Sequence, residues 1–289
     1  MISIRKSFYD QPEFAQQFFN LQELAFPGLN LKWAVENNDL ARFTIPYGLF
    51  DDKKVFSILN VTQAKVISNA KSFELIQLGT VATYPEYRNR GFSRKLIEKV
   101  IEDYQNKVDG IFLFANNSVS DFYPKFGFKS VNEVQYSLPI KDKKNNFVKL
   151  SVKDNESLIK NLLNSRSTIS DKFNISNYAG LAYFHISQFL YDKVWYDPKN
   201  DIIIVAEKKG RELIIFDLIG EIIPADYLQH LTWQGVTQIN LLFTPDKFSG
   251  EFKSEIADTQ NEELFLLGFN DRVIKAFQNA IRIPPLAHT

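Results

Sequence analysis

Val81-Ala-Thr-Tyr-Pro-Glu-Tyr-Arg-Asn-Arg-Gly-Phe-Ser-Arg-Lys-Leu96 is the stretch on which the reading of this chain turns. A β-branched and aromatic run from Phe73 to about Thr83 reads as a strand that Pro85 stops. Phe92, Leu96, Ile97, Val100, Ile101 and Tyr104 then recur at helical spacing between Asn89 and about Gln105. The first turn of a helix carries backbone N–H groups without partners and a partial positive charge, which suits it to a phosphate or pyrophosphate. Gly91 lets a ligand approach the backbone, and Ser93 beside it is small. Arg88, Asn89, Arg90, Gly91, Phe92, Ser93 and Arg94 therefore form a candidate cradle, and the cations among them, with Lys95, fit a ligand with several phosphates.

Upstream of this stretch, Ile2–Ile4 reads as a short strand, Pro12–Phe26 as a helix ended by Pro27-Gly28, and Lys32–Glu36 as a shorter helix. Phe43–Phe50 and Val55–Val66 read as strands joined by the hairpin turn Asp51-Asp52-Lys53-Lys54, with Asn69-Ala70-Lys71-Ser72 as the next turn. Downstream, the wholly apolar Gly110–Ala115 reads as a strand buried on both faces, and Ser118–Phe126 as a short helix before Gly127. The order is mixed α/β.

A second block, Asn116-Asn-Ser-Val-Ser-Asp-Phe-Tyr-Pro-Lys-Phe-Gly-Phe128, follows one strand later. Together the two blocks resemble the GNAT superfamily of N-acetyltransferases. Its acyl-coenzyme A signature is Arg or Gln, two residues, Gly, one residue, then Gly or Ala, and Arg88, Gly91 and Ser93 occupy those positions. Ser93 departs from the pattern in a side chain nearly as small, and Pro124 replaces a more usual acidic or polar residue. The resemblance implies the GNAT acyl-CoA N-acyltransferase fold in the N-terminal half and an acetyl-CoA-dependent enzyme. Its reaction would carry an acetyl group directly to a primary amine of a small molecule or peptide.

In the same way the resemblance implies a general-acid role for Tyr123, a contact between Asn116 and the pantetheine arm, and backbone from Leu78 to Val81 lying along that arm. Gln77 stands about where many members have a catalytic Glu, and an amide is no base. Glu74 is a candidate base only if a bulge turns it toward the site. In some tandem members the terminal carboxylate reaches the active site, which makes Thr289 a second candidate. With the base unassigned, a catalytically impaired acyl-CoA-binding sensor or scaffold is the alternative.

The rest of the chain sets bounds. At 289 residues two domains are expected: 1–140 as the GNAT acetyltransferase domain and 147–289 as a second α/β domain, either a degenerate GNAT-like copy or an accessory fold. The polar run Lys141–Asn146 is the linker, or alternatively a hairpin loop within one domain. Beyond it, helices are expected at Leu158–Leu163, Tyr178–Leu190 and near Ala225–Leu231. Strands are expected at Asp201–Ala206, Leu213–Ile219, Gln238–Phe243 and Glu263–Phe269, and no counterpart of the cradle is visible. The Pro-stiffened, apolar tail Arg282–Thr289 reads as docked.

Basic and acidic residues number 34 each, which argues against a nucleic-acid partner. The absence of cysteine excludes disulfides and a thioester on the protein, so transfer would be direct. Three scattered histidines, His185, His230 and His288, suggest no metal site. A charged start and no long apolar run point to the cytoplasm and away from a membrane. A homodimer is left open, and the resemblance implies that acceptor choice lies with the Phe26–Asn38 region, the hairpin near Asp51 and partner domains.

Overall fold

In the computed structural model, residues 2–37, 41, 44–52, 54–258 and 262–289 are described. Asn38, Phe43 and Lys53, read above as the edge of an acceptor region, the start of a strand and part of a turn, lie outside them.

The chain opens with strand β1 (Ile2–Lys6), helix α1 (Pro12–Ala25) and helix α2 (Leu31–Asn37). Strands β2 (Thr44–Asp51), β3 (Lys54–Ser68) and β4 (Lys71–Thr83) follow as an antiparallel meander. Helix α3 (Phe92–Tyr104) buries Phe92, Leu96, Ile97 and Val100 against the sheet and returns the chain to β5 (Gly110–Ala115), which lies parallel to β4. In β5 the apolar run is buried almost throughout, as expected of a strand covered on both faces.

Where one helix was expected at Ser118–Phe126 there are two separate 3-10 turns, Asn117–Val119 and Tyr123–Phe126. Pro124 has no N–H to donate and its ring would crowd the carbonyl of Ser120, so a continuous α-helix cannot run through it. Gly127, at φ 89°, ends the second turn.

Strands β6 (Lys129–Val131), β7 (Val134–Pro139) and β8 (Val148–Lys149) come next, then α4 (Glu156–Ser165), β9 (Asn174–Ile175) and α5 (Ala179–Gln188). The chain continues through β10 (Val194–Asp197), β11 (Ile202–Lys209), β12 (Glu212–Ile219) and α6 (Tyr227–His230). It then forms β13 (Gln238–Leu241), β14 (Lys253–Ile256), β15 (Glu263–Gly268) and α7 (Asp271–Phe277).

Two sheets result. The first has the order β1-β2-β3-β4-β5-β15-β6, with β9 added on β3; the second has the order β14-β7-β13-β12-β11-β10-β8. The sheets draw strands from each other's half of the chain: the first takes β15, between β5 and β6, and β9, on β3, while the second takes β7, between β13 and β14. The segment 141–146 falls between β7 and β8, both of which belong to the second sheet. Leaving aside β9, which is inserted between α4 and α5, the succession β8, α4, α5, β10, β11, β12, α6, β13 repeats the order of the first half, and β12 pairs with β13 in parallel as β4 does with β5.

One apolar cluster lies between α3 and the first sheet, joining Leu96, Ile97 and Val100 to Val61, Ile76 and Leu113. A larger one covers the opposite face and gathers α1, α4, α5, α7 and the tail residues Ile281, Ile283, Leu286 and Ala287. The tail is thus a buried strap, held at its root by Glu133, whose carboxylate accepts from Ile283 N at 2.8 Å and from Arg282 Nη1 at 3.2 Å.

Candidate functional site

The pairing of β4 with β5 runs from Leu75 opposite Gly110 to Leu78 opposite Leu113 and stops there. Past that point β4 stays with β3, while β5 stays with β15, so the two parallel strands part and leave a wedge. A register shift between Ile58 and Asn60 of β3 faces Gly79–Ala82, and Thr80 has φ 54°. A β-branched residue in that region is strained, so the surrounding pairing must hold it there. At the open side lies a cleft of about 690 Å³, lined by Phe26, Val81, Arg88, Gly91, Ser93 and Tyr123 among others.

The cradle forms one wall of this cleft. Helix α3 has no side-chain cap, and its first internal bond runs from Lys95 N to Gly91 O at 3.0 Å. The N–H groups of Phe92, Ser93 and Arg94 are therefore left for a ligand. Asn89 (φ 61°) and Gly91 (φ 73°) are both left-handed, which curls the loop before the helix, and the space where a Gly91 side chain would project is empty. Arg88 Nε donates to Thr83 O at 3.3 Å, and the Arg90 guanidinium stands 5.4 Å from the centre of the Tyr87 ring. Arg94 pairs with Glu98 at 3.6 Å and lies over Phe126.

Ser93 does more than stay small. Its hydroxyl meets Thr83 Oγ1 at 2.7 Å and Ser57 Oγ at 3.4 Å, while Ser57 donates to Ala82 O at 2.9 Å. The three hydroxyls pin the start of α3 to the ends of β3 and β4, which a Gly or Ala at position 93 would not do. Ser57 and Thr83 were missed in the sequence because neither belongs to the recognised pattern, and only the strand pairing brings Ser57 opposite Thr83.

Tyr123 lines the same cleft and is 6% exposed, with its ring packed on Phe122, Phe128 and Phe265. Burial pushes its phenol up to about 12, so the hydroxyl stays protonated and able to donate at neutral pH. Asn116 is exposed, and its side chain accepts from Ser118 N at 3.0 Å, capping the turn that carries Ser118 and Val119 into the cleft wall.

The two candidate bases fall at different ends of β4. Glu74 is exposed and pairs across to Lys65, five residues before Gly79 and away from the cleft. Thr289 lies at the wedge: a side-chain carbon placed on Gly79 would come within 2.7 Å of Thr289 Oγ1 and 2.8 Å of its carbonyl carbon and oxygen. Gln77 is 1% exposed. With its amide turned to satisfy both groups, Nε2 donates to Ala287 O and Oε1 accepts from Thr289 N, each at 3.0 Å.

The next residue inward is held as well. His185 Nε2 donates to His288 O at 2.8 Å, and the His288 ring stacks on Phe114 at 3.5 Å and meets Glu262 through Nδ1 at 3.2 Å. Among the described residues no group of three or more His, Cys, Asp or Glu side chains could hold a metal ion, and no helix is long and apolar enough to cross a membrane.

Residues 10–131 match the family model of an acetyltransferase (GNAT) domain. No curated protein matches the chain in sequence. Among solved structures, one similar chain is a probable N-acyltransferase from Enterococcus faecalis, at 15% identity and a TM-score of 0.61 over 96% of this chain and 74% of that one. Another is Eis1 from Mycobacterium abscessus, at 13% identity and a TM-score of 0.59 over 96% and 76%. A GCN5-related N-acetyltransferase from Anabaena variabilis follows at 14% and 0.58, over 93% and 73%. At these identities what the three share with this chain is the fold.

Proposed function

We propose, from the match of residues 10–131 to the acetyltransferase (GNAT) domain model, that the protein transfers an acetyl group from acetyl-coenzyme A directly to a primary amine of a small molecule or peptide. The observation that carries the proposal is the shared cleft: unpartnered N–H groups at the start of α3 and the buried Tyr123 phenol open onto one space beside the parted β4 and β5.

In this reading the N–H groups of 92–94 and the cations around them receive the pyrophosphate, and the wedge receives the pantetheine arm. The thioester supplies the activated acyl carbon. The amine nitrogen forms the new bond to it as the carbon–sulfur bond breaks, and Tyr123 gives its proton to the departing sulfur. The amine must also lose a proton. Glu74 is too far along β4 to take it, so we assign its removal to a water path through the open cleft to bulk. With no cysteine in the chain, no acyl group is stored on a protein thiol.

The second half is, in the same reading, a degenerate copy. It repeats the order of elements, but its crossover helix α6 has four residues where α3 has 13. So short a helix offers no comparable phosphate site.

The proposal is tested by incubating the protein with acetyl-coenzyme A and a panel of primary amines, with free thiol release and acetylated product both followed. Thiol release that depends on one class of amine supports it. Binding of acetyl-coenzyme A without transfer to any amine would instead favour a sensor or scaffold.

A further inference from the structure

The cleft takes its walls from both faces of the first sheet. Helix α3 and the cradle lie on one face, while α1 packs in the cluster on the other and ends at the cleft with Leu24, Ala25 and Phe26. We propose that this end of α1 is the acceptor side of the cleft and that it selects a hydrophobic monoamine, an amine whose body is apolar and carries no second charge. This rests on the acetyl-transfer reading above.

Three observations carry it. Leu24 is 55% exposed, Val119 41% and Phe26 37%, and these large apolar side chains meet on one cleft. Apolar surface gathered in that way stays in water until something covers it. The wall is also set in place. Phe26 N donates to Gln22 O at 2.8 Å, and the buried Gln22 amide donates to Leu29 O, so the chain that turns at Gly28 (φ 88°) is tied back onto α1.

The third observation is charge. Among the described residues that line the cleft, the charged side chains are Arg88 and Arg94, and no carboxylate is present. Both arginines belong to the cradle, where the phosphates are assigned. A second ammonium on the acceptor would give up its water at the α1 end with no anion to meet it. A methylene chain or a ring would instead cover Leu24 and Phe26. Apolar surroundings also favour the free amine over the ammonium, and the free amine is the form that attacks the thioester.

The test uses the full chain with acetyl-coenzyme A and three acceptors. Hexylamine and hexamethylenediamine share one carbon chain and differ by a second ammonium, and ethylamine shortens that chain. The kcat/KM for hexylamine should exceed that for the diamine by roughly tenfold or more, and that for ethylamine by roughly threefold per added methylene. Leu24→Ser and Phe26→Ser should raise the hexylamine KM by roughly tenfold and leave the acetyl-coenzyme A KM within about threefold. Leu24→Asp sets a carboxylate at the α1 end and should move the preference toward the diamine by roughly tenfold. Leu24 is exposed, so neither change there threatens the core.

Preference of the wild type for the diamine, or rates indifferent to chain length, would overturn the inference and leave acetyl transfer itself standing. Weaker acetyl-coenzyme A binding in the Ser variants with an unchanged hexylamine KM would overturn it too, because the α1 end would then cover the coenzyme. Transfer to no amine at all would remove the reading beneath it, and the inference with it.

Discussion

At the scale of single residues, the proposed reaction assigns the general acid to Tyr123. Its phenol, held protonated by burial to about 12, can donate to a sulfur that becomes charged only as the thioester breaks. Tyr123→Phe keeps the ring and its packing on Phe122, Phe128 and Phe265. Turnover should therefore drop by roughly 10²-fold while acetyl-coenzyme A affinity stays within about threefold. Steady-state rates beside a binding titration check this, and wild-type turnover in the Phe variant under chemistry-limited conditions would make Tyr123 a packing residue. Tyr123 and Gly91 were legible in the sequence because each belongs to a local pattern. Gln77, Gly79 and His185 were not legible as a set, because what joins them is contact with a strap that arrives from more than 100 residues away and leaves no periodicity at the positions it touches.

At the scale of elements, α3 and β5 were the clearest readings, the one from its apolar stripe and the other from its unbroken apolar run. Ser118–Phe126 misled, because its composition suits a helix while Pro124 divides it into two turns. The slot of β15 was invisible for another reason: its apolar residues announce a buried strand, but nothing local says which neighbours it pairs with. That slot has a consequence for dissection. A chain cut after residue 140 loses β15, which buries Leu264, Phe265 and Leu266 and joins β5 to β6. It also strands β7, whose partners β13 and β14 are gone. Exposed strand edges of this kind associate readily, so residues 1–140 should aggregate or melt without cooperativity when followed by circular dichroism and size-exclusion chromatography. A cooperative melt that acetyl-coenzyme A shifts upward would contradict this.

At the scale of the whole molecule, two sheets of related order exchange strands, and residues 287–289 pack against β4 where it parts from β5. The half with the cradle thus depends on the other half for β15, for Phe265 against Tyr123 and for the strap that carries Thr289. An even charge balance had set nucleic acid aside, and the two signature blocks had located the cleft; only the three-dimensional path joined them to the chain's far end. The central claim is that this cleft holds acyl-coenzyme A with its phosphates on the start of α3. The measurement that tests it most directly is calorimetric titration of acetyl-coenzyme A into the wild-type chain, Gly91→Asn and Gly91→Glu. Gly91 is left-handed with open space before it, so Asn, which tolerates that backbone, controls for strain while Glu sets a carboxylate in the path of the phosphates. The account predicts saturable one-to-one binding by the wild type, near-normal binding by Gly91→Asn, and affinity weaker by roughly 10²-fold or more in Gly91→Glu. No binding by the wild type, or equal affinity in all three, would contradict it.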